Sequence, residues 1–393
     1  MNFDRFTAPL GGDRFEREHL HRAPVHLPGA RNLGFDWARM AELLSVVPHW
    51  TEGNIHLVLN SRPVFPDFYM DEVNTLAGRV HRADPVKVEM FMGMGASLVA
   101  NSVEQIAPEV REITDMLSRR FTAYATANVY CSFDGVQAFA THYDTHEVFA
   151  LQCQGQKLWR VYANREPEAA DPPSEGPDAQ ARIDAARGPV ALQARARPGD
   201  LLYIPRGQYH DAVAEPGQAS LHITFSVGPK TGRLLSQLLT EAIGRDPAFA
   251  AYLPSPDERD GAALAERLSM LADRLSDTVR SPGFLHEVAD QQRRSAATPG
   301  HASLPPSLRT DHYARTQRPA ELRRTGEGVV IVASGRSYST GAAFAAAEWA
   351  LTRPAISRAE LDARFAHVPI EGRDRLIETL LAERLFEPYT PER

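Results

Sequence analysis

The chain has 393 residues, 43% of them hydrophobic, and is long enough to form two or three domains with sizeable cores. Its formal net charge of -7 argues against a protein that coats nucleic acid. It has no uninterrupted apolar run of transmembrane length and no apolar signal core at its start, so we expect a cytoplasmic protein without a membrane partner. The two cysteines, Cys131 and Cys153, are expected to be small buried side chains and not a disulfide.

The N-terminal segments carry two short periodic patterns. Residues 35–44 have the apolar spacing of an amphipathic helix, which we predict there. Residues 86–91 alternate between apolar and polar side chains, and this pattern predicts a strand.

A His-x-Asp pair follows in the middle of the chain. Asp134 and Gly135 form a turn signal, and residues 137–140 are interpreted as the approach of a strand. In an extended strand, His142 and Asp144 share a face, so both can point into one cavity while the residue between them points away.

A second histidine, His210, completes a possible ligand set. It lies just beyond a predicted strand at 201–204, which Pro198-Gly199 opens and Pro205 and Gly207 close. Two imidazoles and one carboxylate on ferrous iron leave three positions open, enough for a chelating cosubstrate and dioxygen. Zinc would bind the same groups without redox chemistry. A chance pair is the alternative, because the chain has 14 histidines.

The residues around this set extend the pattern. His142-Tyr143-Asp144 is followed by Val148-Phe149-Ala150-Leu151-Gln152, by Gly155-Gln156-Lys157-Leu158-Trp159-Arg160-Val161-Tyr162, and by Pro198-Gly199-Asp200-Leu201-Leu202-Tyr203-Ile204-Pro205-Arg206-Gly207-Gln208-Tyr209-His210. This run resembles the JmjC-type cupin oxygenases, in particular the ribosomal oxygenase group. The resemblance implies a mixed β and α fold with a double-stranded β-helix barrel, and Fe(II), 2-oxoglutarate and O2 as cofactor and cosubstrates. It also implies that His142, Asp144 and His210 are the catalytic metal ligands.

The resemblance further implies a cosubstrate site. Lys157 occupies the position that holds the distal carboxylate of 2-oxoglutarate, and a lysine in an enclosed barrel needs such an anionic partner. The last predicted strand, 220–227, alternates apolar and polar side chains, as expected when one face lines a polar cavity. Polar positions that match the cosubstrate site are Asn128, Tyr130, Thr224 and Ser226. Ordinary strand polarity is the alternative interpretation for Asn128 and Ser226.

Two features depart from the family pattern. Thr145, His146 and Glu147 stand where relatives commonly carry acidic residues or another His, and we expect His146 to be an exposed residue of the rim. Residues 164–187 form an insert rich in Pro, Ala and acidic residues, which predicts a mobile loop beside the site.

The C-terminal part changes to helical patterns. Leucine stripes at 234–239 and 264–275 predict amphipathic helices, 291–325 resembles a basic linker, and the end predicts a strand at 329–332 and helices at 342–351 and 373–384, with a capping box from Ser357. Residues 95–110 resemble the strand and helix that precede the iron-binding half of the family.

With the resemblance, three domains are predicted. Residues 1–230 form the JmjC/cupin barrel with its entry segments, 231–300 a helical dimerisation module, and 301–393 the linker and a winged-helix-like domain. A homodimer is therefore expected, whereas the acidic chain disfavours nucleic acid as a partner.

The predicted activity is hydroxylation of an Arg, His or Asn side chain in a protein or peptide, with ribosomal proteins as the first candidates. Two alternatives stay open at this point. One is a hydroxylase of a peptide or free amino acid in natural-product biosynthesis, and the other is a non-catalytic cupin-like sensor that binds metal and 2-oxoglutarate.

Overall fold

The computed structural model describes residues 2–76, 78–133, 139–167, 169, 171–173, 178–296, 311–325 and 328–389. The chain divides into two compact units, one of residues 1–231 with 292–299 and one of residues 232–291 with 300–393. Within the described ranges, no helix combines the length and apolarity that a membrane crossing requires. The three-part domain division stays a prediction.

The first unit is built on antiparallel strands. They are β1 (Val25–Leu27), β2 (Ile55–Leu59), β3 (Arg62–Pro63), β4 (Met70–Thr75), β5 (Gly78–Ala83), β6 (Ser97–Ala100), β7 (Ala125–Phe133), β8 (Glu147–Gln154), β9 (Lys157–Arg165), β10 (Val190–Ala196), β11 (Leu201–Ile204), β12 (Gln208–Ala214) and β13 (Ala219–Val227). The larger sheet has the order β1-β11-β8-β13-β7-β6-β2-β3, and the smaller sheet has the order β10-β9-β12. Strands β4 and β5 pair separately.

Helices flank these sheets. They are α1 (Phe3–Phe6), α2 (Gly12–Glu18), α3 (Trp37–Leu44), α4 (Pro85–Gly93), α5 (Pro108–Phe121) and α6 (Ala179–Ala186), with 3-10 turns at Val47–His49, Pro66–Phe68 and Val103–Gln105. The predicted helix at 35–44 and the predicted strand and helix within 95–110 are confirmed as α3, β6 and α5.

The two faces of β13 show how the sheet separates core from cavity. Its apolar face is fully buried and consists of Leu221, Ile223, Phe225 and Val227. The N-terminal helices cover this side, where Phe6 lies 5.7 Å from Phe149 and 6.1 Å from Phe225 between ring centroids. Each such buried aromatic side chain contributes about 1.5–3 kcal/mol to folding. The polar face of β13 is therefore left to line the opposite side of the sheet.

The strand predicted at 86–91 is wrong, because these residues belong to helix α4. The Asp84 side chain accepts the backbone N–H of Val86 at 2.8 Å, and Pro85 occupies the first turn. An N-cap followed by proline is a helix start signal, and it outweighs the alternation of side chains. Only Val88 of this helix is buried.

The mobile loop predicted at 164–187 is also wrong for the described part of the insert. Alanine favours helix, and the insert forms α6. The Gln180 side chain donates to the carbonyl oxygen of Thr141 at 3.2 Å, and Arg187 donates to the hydroxyl of Tyr162. Residues 174–177 lie outside the described residues. Hydrogen bonds therefore hold the described part of the insert against the rest of the first unit.

The second unit carries the remaining elements. Its helices are α7 (Arg233–Arg245), α8 (Pro247–Ala250), α9 (Ala262–Arg280), α10 (Pro282–Ser295), α11 (Phe344–Leu351), α12 (Arg358–Arg364) and α13 (Ile370–Ala382), with 3-10 turns at Glu258–Gly261 and Gly341–Ala343. Its strands are β14 (His312–Arg315), β15 (Glu321–Thr325), β16 (Gly328–Ala333), β17 (Arg336–Ser339), β18 (Ala355–Ser357) and β19 (Phe386–Pro388). The residues of α10 from Gln292 on are grouped with the first unit.

Two small sheets, β18-β14-β19 and β15-β16-β17, belong to the second unit. The linker predicted at 291–325 is wrong at both ends, because α10 continues to Ser295 and β14 and β15 form before Thr325. Residues 297–310 lie outside the described residues. The capping residue Ser357 is confirmed, since its hydroxyl accepts the N–H of Glu360 at 3.0 Å. The predicted dimerisation and winged-helix roles stay predictions.

Candidate active site

A cavity of about 510 Å³ lies between the polar face of the larger sheet and the inner face of the smaller sheet. The larger sheet contributes residues of β7, β8 and β13, and the smaller sheet contributes residues of β9 and β12. All eight side chains that the sequence places in a metal or cosubstrate site line it: Asn128, Tyr130, His142, Asp144, Lys157, His210, Thr224 and Ser226. Their common location is a finding, and their individual roles stay predictions.

His142, Asp144 and His210 form a three-residue group in this cavity. Each offers one ligand atom, and these atoms lie within 4.8 Å of one another. The Nε2 atom of His210 lies 3.5 Å from Oδ2 of Asp144, and the two imidazole centroids are 4.5 Å apart. This spacing suits one metal ion held by two nitrogens and one oxygen.

The backbone that carries these ligands differs from the prediction. His142 and Asp144 do not lie in a strand, since β8 begins only at Glu147. His142 instead forms an isolated antiparallel bridge with His210 of β12, and the N–H of Gly207 donates to the carbonyl oxygen of Asp144 at 2.8 Å. The pairing across the chain, and not strand alternation within one segment, brings the three ligands together.

The outer nitrogens of the two histidines are fixed by carbonyl groups. Nδ1 of His142 lies 2.9 Å from the carbonyl oxygen of Ala140, and Nδ1 of His210 lies 2.8 Å from that of Gln208. Because Nδ1–H donates to these oxygens, the Nε2 lone pair is left for a metal.

The charges of the group also suit a metal. Burial, together with the charge of His142, lowers the pKa of His210 to about 4. Burial raises the pKa of Asp144, but the neighbouring imidazoles of His142, His210 and His146 outweigh it and hold that pKa below its ordinary value. Neutral imidazole and ionised carboxylate are the forms that bind metal.

A buried carboxylate supports the bridge from outside the cavity. Asp211 is 1% exposed and accepts hydrogen bonds from Thr141 Oγ1 at 2.9 Å, from the Tyr162 hydroxyl at 2.7 Å and from Arg160 Nε at 2.7 Å. Thr141 and Asp211 each adjoin a metal-site histidine in the chain, so this carboxylate ties the two histidine segments together. Sequence reasoning missed it, and an aspartate after a histidine carries no distinguishing signal.

Lys157 is the one strongly buried cation of the cavity among the described residues. It is 3% exposed, and its Nζ donates to the Ser132 hydroxyl at 3.3 Å. No ion pair with Lys157 is found within the described ranges. Burial lowers the pKa of Lys157 to about 7, so the charged form needs an anionic ligand to be stable.

A glycine sets the turn that leads to Lys157. Gly155 has a φ of +65°, and a Cβ there would lie 1.8 Å from the carbonyl oxygen of Ala219. Only glycine fits such a close approach in the left-handed region. The turn connects β8 of the larger sheet to β9 of the smaller one, and it places Lys157 at the first position of β9.

The side chains of Asn128 and Tyr130, both on β7, are hydrogen-bonded to each other. The Oδ1 atom of Asn128 accepts the backbone N–H of Ser102 at 3.2 Å, and the Asn128 side chain is also hydrogen-bonded to the Tyr130 hydroxyl. Burial raises the pKa of Tyr130 to about 12, although the hydrogen bond with Asn128 by itself lowers it, as it does when the amide NH2 of Asn128 donates to the phenol oxygen. The phenol therefore keeps its proton and can donate it to a ligand in the cavity.

Thr224 and Ser226 lie on the polar face of β13, the strand that pairs with β7 in the larger sheet. Thr224 is 8% exposed and is registered directly across from Asn128. Their hydroxyl groups add neutral donors and acceptors to the wall. A cavity with one buried cation, neutral donors and a possible metal-ligand set is suited to a small anionic chelator.

Several cavity residues have no role in the sequence prediction. His222 and Trp159 are buried in the wall, and Phe139 is 41% exposed with its ring 6.1 Å from that of His142. His146 is half-buried and lines the cavity, so the prediction of an exposed rim residue is wrong. The residues predicted to form a turn and strand before His142, 134–138, lie outside the described residues. Alternation marks His222 as a wall residue, but only the folded sheets show its neighbours.

The two cysteines are free. Cys131 is buried on the apolar face of β7, as expected from sequence, whereas Cys153 on β8 is half-buried. Burial raises the pKa of each thiol to about 12, so neither is a thiolate at neutral pH.

Comparison with known proteins adds a family match and several relatives. A model of the JmjC domain matches residues 101–235. Ribosomal oxygenase 1 of Gallus gallus is 33% identical over 248 residues, 61% of this chain and 39% of that protein. The protein of the same name in Rattus norvegicus is 32% identical over 337 residues, 78% of this chain and 52% of that protein. The chain thus spans about half or less of the length of these relatives.

Two further comparisons concern a relative from an insect and a solved structure. A Drosophila mojavensis protein named bifunctional lysine-specific demethylase and histidyl-hydroxylase NO66 is 29% identical over 275 residues, 65% of this chain and 30% of that protein. The Escherichia coli ribosomal oxygenase YcfD, solved in complex with cobalt and 2-oxoglutarate, matches with a TM-score of 0.54 and 17% identity, covering 95% of this chain and 97% of that one. At this identity the match shows a shared fold.

Proposed function

Since this chain contains a JmjC domain and is homologous to proteins named ribosomal oxygenases, we propose that it is an Fe(II)- and 2-oxoglutarate-dependent oxygenase. Its substrate would be an amino-acid side chain of the Arg, His or Asn type in a protein or peptide. The relatives named ribosomal oxygenases support a ribosomal protein, and the histidyl-hydroxylase of Drosophila mojavensis supports histidine among the three.

The observation that carries this proposal is the shared cavity. The three-residue ligand group and the buried Lys157 line the same space of about 510 Å³. A buried ammonium beside a metal-ligand set suits a ligand that chelates the metal at one end and carries a carboxylate at the other. 2-Oxoglutarate has this shape and charge.

The residues present fit both groups. His142, Asp144 and His210 would hold Fe(II), Lys157 would pair with the distal carboxylate, and Tyr130 would donate its phenolic proton to the same cosubstrate. Bound iron would supply oxidative chemistry with dioxygen that no side chain of the protein provides.

The side chains of the protein position the metal and cosubstrate ligands and enclose the cavity. Asn128 fixes the Tyr130 hydroxyl as a donor, and Asp211 holds the two histidine segments together. The rings of Trp159 and Tyr130 line the cavity and would limit the access of water to a bound cosubstrate. Phe139 and His146 also line the cavity and would contact the substrate side chain.

The finer assignments follow the family. We propose a homodimer assembled through the helices of the second unit, because ribosomal oxygenases resemble this chain and α9 leaves apolar side chains such as Leu268 exposed. We propose a cytoplasmic location, since the two free cysteines suit a reducing compartment.

Binding of Fe(II) and 2-oxoglutarate without oxygen tests the proposal and requires no substrate. We expect the wild-type protein to develop the visible charge-transfer band of the chelate. His142→Ala should abolish it, and Lys157→Ala should demand at least about tenfold more 2-oxoglutarate, since a charge-assisted contact is lost. Absence of the band in the folded wild-type protein would contradict the oxygenase assignment.

Substrate type is tested next with the loaded enzyme. Peptides from basic ribosomal proteins that contain Arg, His or Asn are incubated under air, and a mass increase of one oxygen atom is sought. Uncoupled succinate formation without hydroxylation of any peptide would favour a different substrate, such as a free amino acid. A chelate band with no 2-oxoglutarate turnover at all would favour the sensor alternative.

A further inference from the structure

One buried side chain of the cavity wall has no part in the roles assigned above. His222 lies on the polar face of β13, is 2% exposed and lines the cavity together with Lys157. Its ring is stacked on Tyr130 with centroids 4.7 Å apart and planes at 8°, and it meets Trp159 edge to face at 5.5 Å and 85°. Two aromatic neighbours therefore fix the plane of the imidazole.

The hydrogen bonding of this ring is incomplete. Nδ1 of His222 is buried and has no hydrogen-bond partner among the described residues. An unpaired buried polar atom is costly, and most such atoms in proteins are satisfied by a neighbour, a water or a ligand. Because the ring lines the cavity, a cavity ligand can complete its hydrogen bonding.

The charge of the neighbourhood decides what kind of contact His222 makes. Burial, and then the nearby Lys157, hold the pKa of His222 well below its ordinary value. The ring is neutral at neutral pH and offers one N–H donor and one acceptor. One ammonium already balances one carboxylate, so a neutral donor adds a hydrogen bond without a second buried positive charge.

We propose that His222 is a further cosubstrate-binding residue, whose N–H donates to the same distal carboxylate that pairs with Lys157. Both groups lie close to Tyr130, since the Lys157 ammonium is 5.9 Å from the centroid of the Tyr130 ring on which His222 is stacked. The distal carboxylate is thus held by one cation and by neutral donors in fixed orientation. This inference rests on the proposed function.

Two substitutions separate the hydrogen bond from the packing of the ring. His222→Phe keeps a flat ring between Tyr130 and Trp159 but removes both nitrogens. His222→Gln keeps an N–H donor without the ring. Affinities are measured anaerobically in the full chain from the charge-transfer band with Fe(II), once with 2-oxoglutarate and once with 2-oxopentanoate, which has a methyl group in place of the distal carboxylate.

We expect His222→Phe to weaken 2-oxoglutarate at least about tenfold, as for loss of a hydrogen bond to a charged group, and to change 2-oxopentanoate less than about twofold. His222→Gln should recover much of the loss. Equal weakening of both 2-oxo acids, or no weakening of either, overturns the inference while leaving the oxygenase assignment intact. If the wild-type protein forms no band with either acid, the proposed function fails first.

A measurement on the wild-type protein covers the case in which His222→Phe does not fold. In the diamagnetic Zn(II)-loaded protein with 15N-labelled histidine, a protected imidazole N–H resonance should appear on addition of 2-oxoglutarate. It should be absent with 2-oxopentanoate. Identical histidine spectra with both acids would contradict the contact.

Discussion

His142 and His210 exchange both backbone hydrogen bonds of one antiparallel bridge, with N–O distances of 3.0 Å and 2.8 Å. The distance between the two imidazoles is therefore set by this bridge and not by the 67 residues that separate them in the chain. Anything that loosens this bridge should act on metal affinity before it acts on the cosubstrate.

The first prediction concerns Asp211, whose carboxylate links the two segments of this bridge by accepting a hydrogen bond from Thr141. Asp211→Ala leaves the Thr141 and Tyr162 hydroxyls and Arg160 without their shared acceptor. We expect metal affinity to fall about 10–100-fold, the usual range for an outer partner of a metal site. Competition with a chromophoric chelator measures it. Asp71→Ala is the control, since Asp71 is a half-exposed carboxylate that pairs with Lys87 and is not among the residues lining the cavity. Equal metal affinities of the two variants would contradict the assignment.

A second prediction concerns Gly207, whose N–H holds the carbonyl oxygen of Asp144. Gly207 has a φ of +80°, and a Cβ there would lie 2.7 Å from the carbonyl oxygen of Glu166. Gly207→Ala should lower both the melting temperature and metal affinity. Gly217→Ala is the matched control, because Gly217 has a φ of +72° with nothing within 4 Å of the added Cβ. The Gly217→Ala variant should lose about 1–2 kcal/mol of folding stability through backbone strain, and its metal affinity should be unchanged. If Gly207→Ala were the milder of the two, the contact would be unimportant.

The third prediction is a pH dependence of cosubstrate binding. The pKa of Lys157 is about 7 without ligand because of burial, and a carboxylate partner stabilises the charged form. Above pH 7 binding must therefore take up a proton, and 2-oxoglutarate affinity should fall by up to about tenfold per pH unit. Titrations between pH 7 and 8.5 check this.

The control ligand for this pH dependence is 2-oxopentanoate, which has no carboxylate for Lys157. Its affinity should change much less over the same range. Lys157→Arg, which stays charged, should likewise flatten the profile for 2-oxoglutarate. Parallel pH profiles for both acids in the wild-type protein would assign the titration to another group.

The fourth prediction concerns stability. The pKa of Lys157 is depressed from 10.5 to about 7 in the folded state, so the unfolded chain binds more protons between these values. The buried ammonium therefore costs stability that is recovered as pH rises from 7 to 10.5. Lys157→Met should raise the melting temperature of the ligand-free protein at pH 7, and the gain should shrink toward pH 10. A gain that is constant with pH would mean that packing, and not charge, is responsible.

The sequence predicted much of the site because its signals are local. Lys157 was predicted from its place in the motif Gly155-Gln156-Lys157-Leu158-Trp159, and the alternation of 220–227 marks which side chains of β13 face a cavity. Both patterns consist of residues that are close together in the chain, so they can be recognised without the fold.

The errors arose where two local signals conflicted or where contacts decided the outcome. Residues 86–91 alternate like a strand, but the N-cap Asp84 and Pro85 start a helix there. The insert at 164–187 lacks large apolar side chains, yet α6 is held by Gln180 and Arg187, whose hydrogen bonds reach residues distant in the chain.

The sequence by itself was enough to predict His142, Asp144 and His210 as candidate ligands, Lys157 as the candidate cation, and the alternating strand that carries Thr224 and Ser226. Only the tertiary structure decided that a bridge to β12 brings His142 and Asp144 to His210, that Asp211 supports this bridge, and that Nδ1 of His222 has no hydrogen-bond partner among the described residues. The physical reason is that residue type and spacing specify what a side chain can bind, whereas burial, hydrogen-bond partners and pKa depend on neighbours that only the packed sheets bring together.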